Sequence, residues 1–147
     1  MKKLVVPNDE LIPEIERLVE SGTDVVFTPK GMSMLPFIRG DRDSVLMKKV
    51  TEVGVGDIVL ARLSGGNFVL HRIVALDDEK VILMGDGNIA GKESCMKKDL
   101  LAVAVKIMKG DKVIDCMSQS HRRKARIWNV LLPLRRYILA IYRRIML

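Results

Sequence analysis

Six short runs rich in valine, isoleucine and leucine, separated by stretches carrying glycine, proline, asparagine or aspartate, constrain this chain most. They lie at Val25–Thr28, Ser44–Lys48, Asp57–Leu63, Phe68–Leu76, Val81–Met84 and Leu100–Met108. Alternation and β-branched content read them as strands. Ser64-Gly65-Gly66-Asn67 and Asp77-Asp78-Glu79-Lys80 read as hairpin loops, and a short pair near Lys109–Asp115 turns at Gly110-Asp111 to close the sheet. Ahead of them, Asn8 or Asp9 caps a helix over about 8–21, with Leu11, Ile15, Leu18 and Val19 on one face, Pro13 in its first turn and Ser21-Gly22 ending it. The expected fold is mainly β (α+β). At 147 residues the chain is long enough for one real core, and with aromatics at only 4% that core is aliphatic and methionine-filled.

The stretch Lys30-Gly31-Met32-Ser33-Met34-Leu35-Pro36-Phe37-Ile38-Arg39-Gly40-Asp41 stands apart from these runs. A serine between two methionines is a poor fit for a solvated loop. Gly31 lets the backbone approach a neighbour closely, and Pro36 fixes φ where the chain turns back. A hydroxyl on a rigid apolar platform suits a nucleophile if a base lies nearby. It also suits a helix cap over Met34–Phe37. The base candidate is His71, within the strand run Phe68–Leu76, because an imidazole accepts a serine proton near neutral pH. The other histidine, His121, lies in a basic run and reads as a solvated cation.

Gly31-Met32-Ser33-Met34-Leu35-Pro36, Gly40-Asp41, Gly56-Asp57-Ile58-Val59, His71-Arg72-Ile73-Val74 and Gly85-Asp86-Gly87-Asn88 follow one another in the order found in type I signal peptidases. From about Val25 to Ile107 the chain resembles that family, whose fold also serves the self-cleaving domains of LexA-type repressors. The resemblance implies a small coiled, partly open β-barrel. By position Ser33 matches the nucleophile. His71 falls where bacterial members carry a lysine before an arginine, and a histidine there resembles the archaeal and endoplasmic-reticulum branch. The implied chemistry is acyl transfer by Ser33 with His71 as general base and the Ser33 backbone N–H as the leading oxyanion donor. Asp86 matches the aspartate of the family's Gly-Asp-Asn-Asn block and would orient His71. It equally suits a β-turn in which Asp-Gly bonds its own backbone. The histidine branch also resembles a pattern with another acidic residue about six positions later. Here that position is Lys92, with Gly91 before it and Glu93 after it. Met32, Met34 and Pro36 are the residues expected to contact substrate, with packing as the default for the methionines. Asp41 and Asp57 read as turn formers.

The function expected from this resemblance is a serine endopeptidase acting on a specific leader or precursor peptide. The alternatives are a weak or inactive peptide-binding module of the same fold, and a LexA-type self-cleaving regulator. Ala90-Gly91 resembles a self-cleavage pair but lies downstream of Ser33. Cys95 and Cys116 have no metal spacing and read as reduced thiols, and neither a cofactor fingerprint nor a metal-ligand cluster is expected.

Charge divides the chain at about residue 115. Eight of its 25 Lys and Arg fall between Cys116 and Leu147, where there is no Asp or Glu, so the excess positive charge resides there. The expected organisation is a catalytic domain over 1–115 and a basic amphipathic helical tail over 116–147. Ile127, Leu131, Leu134, Ile138, Ile141, Tyr142 and Ile145 share one helical face, with Pro133 kinking it or starting its second part. Three readings of the tail stand open: packing on the domain's own sheet, in-plane binding to an anionic membrane through 119–147, and nucleic-acid binding. No nucleic-acid-binding module accompanies the charge, so the last is not expected. The arginine pairs interrupt any spanning run. The segment Met1-Lys2-Lys3-Leu4-Val5-Val6 is too short for a signal-peptide core, which favours a cytoplasmic or peripherally membrane-associated protein.

Overall fold

The computed structural model describes Lys2–Lys3 and residues 8–146, with side chains from Leu11 onward. Met1 and residues 4–7, most of the segment read against a signal peptide, lie outside the described residues. The strands are β1 (Lys2–Lys3), β2 (Val25–Phe27), β3 (Ser44–Lys48), β4 (Ile58–Arg62), β5 (Phe68–Leu76), β6 (Lys80–Met84), β7 (Glu93–Met96), β8 (Leu100–Lys109) and β9 (Lys112–Asp115). The helices are α1 (Asn8–Glu20), α2 (Gln119–Val130) and α3 (Arg135–Met146). All six expected strands form, within a residue at most ends. The strands unread in the sequence are β1 and β7.

The strands make one sheet in the order β1-β2-β3-β8-β4-β5-β6-β7, with β9 on β8. Every pairing is antiparallel except β1 with β2. The two ends of this path are not joined, so the sheet stays open. The fold is mainly β with helices, as expected. Register slips at Leu46/Met47, Leu60/Ala61 and Ile73/Ala75 mark irregularities of the kind that bend strands and coil a sheet.

Alternation along β4 explains why the sheet is buried on both faces. Ile58 and Leu60 join a core with Leu11, Ile15, Leu18 and Val19 of α1, while Val59 and Ala61 join Ile73, Val81, Leu83 and Val103. Burying each large aliphatic side chain contributes about 1.5–3 kcal/mol, which is what holds α1 on the sheet. Pro13 sits in the second turn of α1 rather than the first, so its missing N–H removes an intrahelical bond.

The tail is two helices, with Pro133 in the turn between them as one of the sequence readings had it. Ser118 caps α2 by accepting the His121 N–H, and a 3-10 turn over Leu132–Leu134, containing Pro133, separates α2 from α3. The tail packs on the domain, as one of the open readings had it, with Trp128, Leu139, Ile138 and Tyr142 against Leu35 and Phe37 of the turn that carries Ser33. Of the expected apolar face, Ile127, Leu134, Ile141 and Ile145 point to solvent. No helix among the described residues is long and apolar enough to cross a membrane.

Candidate active site

Ser33 lies in a hydrogen-bonded turn in which Leu35 N–H bonds Met32 O (3.2 Å) and Ile38 N–H bonds Met34 O (2.9 Å). No helix follows it, so the helix-cap reading is set aside. The turn is clamped by glycines. A Cβ on Gly40 would lie 1.8 Å from Gly31 O, so two chain segments touch where only hydrogen fits, and Gly31 itself has φ 82°.

A second clamp comes from the segment after β6. Gly87 N–H donates to Ser33 O at 2.7 Å. A Cβ on Gly87 would meet Met32 O at 2.3 Å, and one on Gly85 would meet Ser33 O at 2.4 Å and His71 Nε2 at 3.0 Å. The glycines of Gly85-Asp86-Gly87-Asn88 therefore exist because the Ser33 turn and the His71 ring occupy the space of their side chains. Gly85 places the Ser33 backbone and His71 Nε2 around one point.

His71 and Arg72 are neighbours on β5 and so leave opposite faces. The β5–β6 register pairs Arg72 with Met84, which sets residue 85 opposite His71. With no side chain at that position, the buried imidazole reaches across β6 to β7. There the Glu93 carboxylate binds His71 Nδ1. Glu93 is the acidic partner of the histidine. His71 also lines a cavity of about 150 Å³ with Ser33, Gly31, Met34, Gly40 and Leu70. Among the described residues, Ser33 N–H, Ser33 Oγ and His71 Nε2 have no hydrogen-bond partner.

Asp86 does something else. Its carboxylate accepts Arg72 Nε (2.9 Å) and Nη2 (2.7 Å), a two-pronged pair buried on both sides. This corrects the expectation that Asp86 orients His71: the guanidinium on the opposite face of β5 already holds both carboxylate oxygens. It is not a self-bonded turn aspartate either. Arg72 also donates to Gly56 O at 2.8 Å and lies 4.8 Å from the Phe37 ring centroid. Asp57, read as a turn former, accepts Gly54 N–H and also binds Arg122 of α2.

The tail completes this support. Trp128 Nε1 donates to Asp86 O (2.8 Å), and buried Arg135 donates to Asn88 O (2.9 Å) and stacks on the Trp128 ring. The loop forming one wall of the site is thus held by α2 and α3. Sequence reasoning gave Arg72 no role beyond its place after His71, and it missed Trp128 and Arg135, whose signal was only that the tail carries an aromatic residue and many arginines. Of the expected substrate contacts, Met32 is exposed beside Ser33. Met34 is buried, lines the cavity, and accepts Asp86 N–H on its sulfur (3.4 Å). Pro36 lines a separate depression with Phe37, Ile114 and His121, away from the Ser33–His71 cavity.

His121 is buried, against its reading as a solvated cation. Arg72 Nη1 approaches its Nε2 at 3.3 Å, and its ring meets Phe37 edge-on. Burial, with Arg72 beside it, lowers its pKa from 6.5 to about 4. The unfolded chain therefore binds a proton that the native chain refuses between these values, and stability falls as pH falls through that window. The expected loss from this residue is on the order of 2 kcal/mol. Urea midpoints at about pH 7 and about pH 4.5 should separate more for the native chain than for His121→Gln. Both cysteines are free and buried, and burial pushes the Cys116 thiol up to about 11.

An open, mainly β sheet brings a serine turn up to a carboxylate-held histidine, an arrangement that fits the family fold below. The family model described as Peptidase S24-like matches residues 3–108, and the chain belongs to that family. Among curated proteins none matches this chain significantly.

Proposed function

We propose that this protein is a serine endopeptidase that cleaves a specific leader or precursor peptide by acyl transfer. The observation that carries the reading is the His71 ring, bound by Glu93 on Nδ1 while it lines one cavity with Ser33. In this mechanism His71 Nε2 takes the Ser33 proton and Ser33 Oγ attacks the peptide carbonyl. The imidazolium, stabilised by Glu93, then protonates the leaving amine. Water, deprotonated by His71, hydrolyses the acyl-serine ester. The Ser33 N–H, without another hydrogen-bond partner among the described residues, would receive the oxyanion in this mechanism. Met32 and Met34 contribute apolar substrate contacts.

The test is reaction with a fluorophosphonate, read by intact mass and peptide mapping, beside cleavage of a peptide library. One adduct on Ser33, and cleavage abolished in Ser33→Ala, is the expected result. Cleavage that survives Ser33→Ala discards the mechanism. A second reading, a peptide-binding module of low or no activity, draws on the unbonded Ser33 Oγ. It requires peptides to bind without being cut and the fluorophosphonate to leave Ser33 untouched.

A further inference from the structure

The helices after Cys116 are apolar on two sides, and only one is covered. Trp128, Ile138, Leu139 and Tyr142 face the domain. Ile127, Val130, Leu134, Tyr137, Ile141 and Ile145 are each more than half exposed. Tyr137, Ile141 and Ile145 recur every four residues and so form one stripe along α3, with Ile127, Val130 and Leu134 leading into it. Exposed Arg123, Lys124 and Arg126 on α2, and Arg136, Arg143 and Arg144 on α3, flank these side chains. Burial on the domain accounts for the first side of the helices and leaves the second without a structural purpose.

We propose that the outward face of α2 and α3 seats the protein in the plane of an anionic lipid bilayer. Charge selects this occupant over a second copy of the chain. Of the eight Lys and Arg between Cys116 and Leu147, Arg122 pairs with Asp57 and Arg135 is buried, but the other six are exposed with no acidic residue among them, so two copies meeting through this face would oppose cations to cations. A layer of anionic headgroups supplies the missing countercharge, and the acyl boundary beneath it takes the isoleucines. Tyr137 has the amphipathic ring that sits at such a boundary. The twelve residues of α3 span about 18 Å against a hydrocarbon core of about 30 Å, so the helix lies on the bilayer rather than across it.

Flotation of the full chain with vesicles of phosphatidylcholine mixed with phosphatidylglycerol, beside pure phosphatidylcholine, tests this. The native chain and Ser33→Ala should float alike with the anionic vesicles, less so in added salt, and stay unbound with the neutral ones. Ile141→Ser/Ile145→Ser and Arg143→Gln/Arg144→Gln should each bind roughly tenfold more weakly. All four side chains are exposed, so unchanged circular dichroism should confirm that these variants fold. Equal flotation of native chain and variants, or none at all, overturns the proposal. So does a dimer in sedimentation equilibrium that the isoleucine variants dissolve without any vesicle binding. Because Ser33→Ala is expected to bind unchanged, failure here is distinct from failure of the peptidase reading.

Discussion

Glu93→Gln is expected to lower kcat/KM for a cleaved peptide roughly 10³–10⁴-fold while leaving the urea midpoint of unfolding nearly unchanged. A carboxylate on Nδ1 can only accept, so it keeps the ring proton on Nδ1 and leaves Nε2 free to take the Ser33 proton. A glutamine amide can donate to Nδ1 instead, which would put the ring proton on Nε2 and block that transfer. It also removes the negative charge that stabilises the imidazolium formed in the reaction. The fold should tolerate the change, because the Glu93 side chain is about a quarter exposed and retains its length as glutamine. The loss should appear in kcat with KM little altered, since Glu93 acts through His71. Cleavage by Glu93→Gln at the native rate would mean that the ring needs no carboxylate, and the Ser33–His71–Glu93 arrangement would lose its mechanistic meaning.

Glu93 also shows where sequence reading stopped. The six longer strands were legible because each repeats apolar residues at a period of two over several positions. Strand β7, Glu-Ser-Cys-Met, buries only Cys95, so nothing in its pattern marks a strand. Its place comes from pairing with β6, Leu83 against Glu93 and Val81 against Cys95. In a strand, adjacent residues face opposite ways, so whether residue 92 or residue 93 reaches His71 depends on register rather than composition. An acidic residue sought at Lys92 is found one position on, after Gly91 with φ 87° and an exposed turn. His121 was misread for a related reason. Its run is basic, but its burial follows from where α2 docks, and no local pattern records that Phe37 and Arg72 wait on the other side. In the tail, helical periodicity was visible. With apolar residues on both sides, periodicity alone did not decide which side the domain would cover.

Asp86→Asn separates a structural from a catalytic role for this aspartate, and it should act on stability rather than chemistry. Arg72 is 5% exposed, and among the described residues Asp86 supplies the one carboxylate bonded to it. Removing that charge leaves a guanidinium with Gly56 O, the neutral His121 ring and the Phe37 face as partners, none of which compensates a buried cation. Breaking one side of such a pair costs about 3–5 kcal/mol, read as a lower urea midpoint. Arg72→Met/Asp86→Leu should be less destabilised than either single change, because replacing both charges leaves none uncompensated. Under conditions where Asp86→Asn remains folded, its kcat/KM should stay within about tenfold of native, far from the loss expected of a histidine-orienting acid. The opposite pattern, near-native stability with cleavage reduced as in Glu93→Gln, would return Asp86 to the catalytic constellation and demote Glu93.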